Sequence, residues 1–225
     1  LERVRAFTEQ HIFPVEEEFV AEIEVDDPFI LTPRQLEILD SLKSRARDEG
    51  LWNFFLTGEK GSGLNTVEYA YLAEEMGKSR LAAEIFNCSA PDTGNMEVLH
   101  KYGSEAQKKQ WLEPLMQGEI RSCFGMTEPD VASSDATNVS TSARLEGDEW
   151  VINGEKHWTS GAGDPRCKVM ICMVKTDPEA PKHLQQSQIL VPLEAEGIEM
   201  IRPLKVFNML DAPHGHMRVK LNNVR

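Results

Sequence analysis

What most limits how this chain can fold is a change of hydrophobic period near Gly118. Ahead of it, apolar residues recur at helical spacing: Val4, Phe7 and Ile12, then Leu36, Leu39, Leu42 and Ala46, then Tyr69, Leu72, Ala73 and Met76. Steps that are mostly three or four place such residues on one helix face, so this half predicts an all-α domain. Thr32-Pro33 sets a capping hydroxyl before a first-turn proline, Asn65 with Glu68 resembles a capping box, and Gly77 ends the third helix. Another helix is predicted from Ser104, with Trp111, Leu112 and Leu115 on its apolar face and Gly118 as its breaker.

Beyond Gly118 the pattern is short, β-rich and punctuated by turns. Between Trp150 and Trp158 the dipeptide Asn153-Gly154 predicts a tight hairpin. Lys168 to Lys175, Ser187 to Val191 and the alternating Met217 to Leu221 predict strands, and Thr176 to Gln186 a polar loop between two of them. The second half therefore reads as a small antiparallel β domain.

With 225 residues, 40% of them hydrophobic, the chain can bury the core of one large or two small domains. Its 37 acidic and 24 basic residues leave a net charge of -13, which argues against attraction to nucleic acid or an anionic membrane, so an anionic ligand needs local donors. Cys88, Cys123, Cys167 and Cys172 lack metal-ligand spacing and read as free thiols, which favours a reducing, intracellular compartment and no metal. No membrane span or signal peptide is visible, while the start at Leu1 suggests a fragment or a processed chain.

Three segments are read as ordinary structure. Gly58 to Gly63 lacks the ending of a phosphate-binding P-loop, His214 and His216 lack a third metal ligand and read as surface histidines, and Glu16 to Glu18 form a solvated helix face. Two others point to a ligand. Cys123 to Ser134 runs from a strand-like start into a loop of small residues, where Thr127, Ser133 and Ser134 offer hydroxyl donors, although a plain connecting loop fits the same composition. Lys156 to Gly163 joins Trp158, able to cover a flat ring or to fill a core, to Ser160, able to reach a heteroatom on that ring's edge.

Thr127-Glu128-Pro129, Ile152 to Lys156, and Trp158 with Ser160 together resemble the acyl-CoA dehydrogenase family. Tyr102 to Lys108 and Leu221 to Arg225 are similar to further landmarks of that family, so the resemblance spans the chain. Pro129 to Asp135 and Gly161 to Pro165 resemble the branch of family members ten and eleven. The resemblance implies an α+β multidomain protein: an N-terminal helical domain over 1–119, a middle antiparallel β-barrel domain over 120–225, and a C-terminal helical domain absent from this chain.

It also implies FAD as cofactor, bound by Phe124, Met126, Thr127, Ser133, Ser134, Trp158 and Ser160, with Ser133 also reaching the acyl-CoA substrate. Trp158 would shield the flavin, and Ser160 would approach its N5 edge where relatives usually carry threonine. The implied reaction oxidises an acyl-CoA to its 2,3-enoyl product, with electrons passed to an acceptor such as an electron-transfer flavoprotein. A homodimer or homotetramer is implied, in a mitochondrion or peroxisome if eukaryotic and in the cytoplasm if bacterial. The family's base is a glutamate expected downstream of Arg225, so no catalytic residue is assigned and residues 1–225 alone are expected to be inactive. An acyl-CoA oxidase and a non-catalytic scaffold are the alternatives. Relatives carry glycines after Thr-Glu-Pro, whereas here Asp130, Val131 and Ala132 stand there, and Asp130 would repel a phosphate unless it points away or pairs with a cation.

Overall fold

The computed structural model describes residues 1–22, 27–58 and 61–225, so Glu59 and Lys60 of the Gly58 to Gly63 segment lie outside the described residues. The chain separates into two compact units, Leu1–Glu119 and Ile120–Arg225.

The first unit is helical. Helices α1 (Glu2–Phe7) and α2 (Phe13–Ala21) are joined by a π-helical turn over Thr8–Ile12. That wider turn lets Phe7 and Ile12, five apart, both be buried. It also sits just ahead of Pro14, whose ring and missing N–H disrupt regular α-helical bonding. The same device recurs where α7 (Glu105–Gln107) passes through a π turn at Lys108–Leu112 into α8 (Glu113–Met116), just ahead of Pro114. Between them lie α3 (Pro33–Asp48), α4 (Thr66–Met76), α5 (Ala82–Ile85) and α6 (Asp92–Tyr102).

Capping boxes at Thr32/Gln35, Asn65/Glu68 and Ser104/Gln107 start α3, α4 and α7, and Gly77 caps the end of α4. Ile38, Leu39, Leu42 and Ala46 bury the inner face of α3, whereas Leu36 and Ala73, expected on apolar faces, are exposed. A single amphipathic stripe is wider than the contact it makes.

The second unit is a curled sheet of seven strands among the described residues: β1 (Arg121–Gly125), β2 (Ser142–Glu146), β3 (Glu149–Ser160), β4 (Cys167–Lys175), β5 (Gln186–Pro192), β6 (Ile198–Leu204) and β7 (His216–Val224). Their order is β1-β4-β2-β3-β7-β6, with β5 also paired to β4. Val169 to Cys172 and Val174 of β4 are all buried, as a strand at the sheet's centre requires, and β7 alternates buried Met217, Val219 and Leu221 with more accessible neighbours.

Two expectations need correction. The sheet is mixed, since β1 runs parallel to β4, from Arg121↔Cys167 to Gly125↔Cys172. The long connection from Gly125 to Cys167, which carries β2 and β3, frees β1 from the antiparallel return that a short turn imposes. Asn153-Gly154 is also no turn. It lies inside β3, and the hairpin closes instead at Gly147-Asp148, where Glu146 pairs with Glu149 and Gly147 has φ +65°. Gly154 is needed for space: a Cβ there would stand 2.4 Å from Thr141 Oγ1.

Candidate functional site

The site residues expected from the sequence all belong to the second unit. At the end of β1, Phe124 is half-buried, and the chain leaves through half-buried Met126 and Thr127 into the loop. Thr127 ties this loop to β3 in both directions: its hydroxyl donates to the His157 carbonyl, and its carbonyl accepts the His157 N–H at 2.7 Å. The two segments that the sequence singles out therefore meet, at His157, one residue before Trp158.

Beneath this junction lies an ion pair that the sequence reading left unused. Lys156 Nζ donates to Glu128 Oε1 at 2.9 Å, to the Met126 carbonyl at 3.2 Å and to the Met173 carbonyl at 2.6 Å. Glu128 also accepts the Ser140 N–H at 2.8 Å, the Ser140 hydroxyl and the Thr141 N–H at 2.9 Å. Burial pushes the Glu128 carboxyl up, but the hydrogen bonds from Ser140, Thr141 and Lys156 outweigh it and hold the group at about 2. Glu128 thus stays ionised as the loop's internal anchor. The sequence hint was slight: a lysine within β3 and an acidic residue in the loop, neither of which marks the other as its partner.

Ser133 is buried, and its Oγ accepts the Glu128 N–H at 2.5 Å, so it shapes the loop from within, while Ser134 is exposed. Asp130 is exposed and within electrostatic reach of Arg218, which is itself paired with Glu155. A cation therefore lies within electrostatic range of the carboxylate that would otherwise repel a phosphate.

Trp158 is the feature that ordinary packing does not account for. It is 44% exposed, although it stands between Lys156 and Thr159, which are 0% and 1% exposed. Its φ is +58°, a left-handed conformation that costs a bulky residue on the order of 1–3 kcal/mol. The cause is a register shift against β7 between Lys156 and Thr159, a bulge that turns the indole outward. His157 and His216 meet the ring edge-on, with centroids 5.4 and 5.8 Å away. Burial first, then Arg218 and Arg202, lower the pKa of His157.

Ser160, half-buried at the end of β3, lies with its Oγ 2.7 Å from His216 Nδ1. The next residue, Gly161, takes φ +81° and donates its N–H to the Gly215 carbonyl at 3.0 Å, which draws the His214 to His216 turn against the end of β3. His216 is thus no ordinary surface histidine, and nothing local in its sequence signals that partner.

Residues 1–119 match the description "Acyl-CoA dehydrogenase, N-terminal domain", and residues 123–222 match "Acyl-CoA dehydrogenase, middle domain". The chain belongs to the acyl-CoA dehydrogenase family. It is similar to acyl-CoA dehydrogenase family member 10 of Mus musculus, 52% identical over 230 residues that span 100% of this chain and 21% of that protein. The solved structure of a Mycobacterium abscessus protein described as an acyl-CoA dehydrogenase is 49% identical, with a TM-score of 0.93 over 99% of this chain and 56% of that one. A glutaryl-CoA dehydrogenase from Mycobacterium smegmatis, solved in complex with FADH2, is 25% identical with a TM-score of 0.66 over 99% of this chain and 51% of that one. The chain thus spans about half the length of these two solved relatives.

Proposed function

We propose that this chain forms the flavin-contacting part of an FAD-dependent acyl-CoA dehydrogenase, which oxidises an acyl-CoA thioester to the 2,3-enoyl-CoA. The observation that carries the reading is Trp158, extruded at a strained φ of +58° beside the hydroxyl of Ser160. A large, flat, exposed aromatic next to a hydrogen-bonding edge group fits a planar ring system, and the strain fits a side chain displayed for a ligand rather than for the core. The FADH2 complex of the glutaryl-CoA dehydrogenase supports FAD as that ring's source.

Bound FAD supplies an electron sink that accepts hydride from the acyl chain. Trp158 covers one face of the ring and excludes water there, Ser160 presents its hydroxyl to the ring edge, and Thr127 keeps the loop from Phe124 to Ser134 registered against β3. The same loop lines the cofactor and the thioester end of the substrate through Met126, while buried Ser133 holds the loop's shape from within. Glu128 is excluded as the base, because its carboxylate is buried and occupied by Lys156, Ser140 and Thr141. The base is assigned to no residue of this chain, and residues 1–225 by themselves are inactive. The intact enzyme is a homodimer or homotetramer that passes electrons to a carrier such as an electron-transfer flavoprotein.

The test is purification of the natural full-length protein. A yellow preparation whose flavin is released on denaturation, and which is bleached by acyl-CoA, is expected. A well-folded protein without flavin absorbance after incubation with excess FAD would overturn the proposal.

A further inference from the structure

The pairing of Ser160 with His216 joins the ends of β3 and β7 through two groups of versatile hydrogen-bonding chemistry. Ser160 Oγ lies 2.7 Å from His216 Nδ1, and the far side of the pair is fixed by the edge-on contact of the imidazole with Trp158. Both residues are half-buried, so the pair is held by its neighbours yet remains in exchange with water.

A hydroxyl has one proton and two lone pairs, and a neutral imidazole carries its proton on either nitrogen. With the proton on Nδ1, His216 donates to Ser160 Oγ, and the Ser160 proton is left for donation outward. With the proton on Nε2, Nδ1 accepts the Ser160 proton, and Ser160 Oγ becomes an outward acceptor. The two arrangements interconvert when one proton leaves a ring nitrogen for water and another arrives at the other nitrogen, with no net change of charge or electrons. A backbone carbonyl behind Ser160 would allow only the second arrangement, and a lysine only the first.

Resting on the flavin reading above, we infer that His216 is a positioning residue that lets Ser160 serve the redox-active edge nitrogen of the flavin in both oxidation states. Ser160 donates to that nitrogen when it is a bare acceptor and accepts from it when it carries hydrogen. His216 supplies the matching partner behind Ser160 in each case, so the Ser160 hydroxyl keeps a complementary hydrogen bond to Nδ1 in both states.

The experiment uses the natural full-length protein and FAD, with dissociation constants measured for the oxidised and the chemically reduced cofactor. His216→Phe keeps a ring against Trp158 and removes both hydrogen-bonding roles. His216→Asn keeps both roles, because its amide presents oxygen or N–H by flipping. His216→Phe is expected to weaken both oxidation states roughly 2- to 10-fold, the worth of one neutral hydrogen bond. His216→Asn stays within about twofold of wild type, and His216→Phe adds nothing further in a Ser160→Ala background.

Weakening confined to one oxidation state, no weakening, or an undiminished effect of His216→Phe on Ser160→Ala would each overturn the inference. Should His216→Phe fail to fold, His216→Asn and Ser160→Ala decide: both states retained in the first and both weakened in the second support it, and any other pattern overturns it. A wild-type protein that binds no FAD sinks the flavin reading and this inference together. A wild type that binds FAD with an indifferent His216→Phe sinks this inference alone.

Discussion

Replacing Lys156 by methionine keeps an unbranched side chain of similar length and removes its charge from a site with no access to water. The Lys156 and Glu128 side chains are 0% and 2% exposed. Lys156→Met takes the ammonium from Glu128 Oε1 and leaves the Met126 and Met173 carbonyls without that donor. Breaking one side of a buried pair costs about 3–5 kcal/mol, because the remaining charge is left uncompensated. Glu128 retains the Ser140 and Thr141 donors, which places the expected loss at the low end, about 3 kcal/mol. The double variant Glu128→Gln/Lys156→Met removes both charges and should recover part of that loss.

The same pair carries a pH dependence. Glu128 is held at about 2, below the ordinary 4.5 of an unfolded-chain glutamate. A depressed carboxyl stabilises the fold fully above about 4.5, and the contribution, roughly 3 kcal/mol, is lost as pH falls from there through about 2. Urea denaturation followed by tryptophan fluorescence at neutral pH, and again in steps down through this window, measures both effects. Glu128→Gln should flatten the acid limb. A Lys156→Met protein that loses less than about 1 kcal/mol, or a wild-type acid limb unchanged by Glu128→Gln, would refute the anchoring role.

Trp158→Ala should weaken FAD retention while shifting the stability of the flavin-free protein by less than about 1 kcal/mol, since the ring is 44% exposed; a loss of roughly 3–5 kcal/mol with unchanged flavin affinity would mark a core tryptophan instead. Gly154→Ala should destabilise by more than about 2 kcal/mol in denaturant titrations, because the new Cβ meets Thr141 Oγ1 at 2.4 Å and Thr141 Cα at 2.7 Å, and a neutral outcome would show that the strands can part there. Thr32→Ala removes the hydroxyl that accepts the Gln35 N–H at 3.1 Å and should lower the melting temperature by the equivalent of about 1 kcal/mol; an unchanged melting temperature would show that the α3 cap is dispensable.

Local chemistry made much of this architecture legible in the sequence. A capping box is complete within four residues, so Thr32, Asn65 and Ser104 announce their helices without help from the rest of the chain. The unbroken apolar run of β4 and the alternation of β7 are likewise visible in short windows. What escaped depends on residues far apart in sequence. The parallel pairing of β1 with β4 follows from the long connection between them, which a window of a few residues does not contain. Asn153-Gly154 carries a turn signal, yet its glycine answers to the approach of Thr141 on the neighbouring segment.

The site divides in the same way. Thr127, Trp158 and Ser160 were legible as residue types able to meet a flat, polar-edged ligand. The partner of Glu128 lies 28 residues away, and that of Ser160 lies 56 away. Neither the charge of Lys156 nor the turn-like setting of His216 says which group it will face, because burial and hydrogen-bond direction are set only when the strands pack. A side chain's chemistry is written at its own position, but the dielectric, the strain and the partner that turn it to use are properties of its neighbours in space.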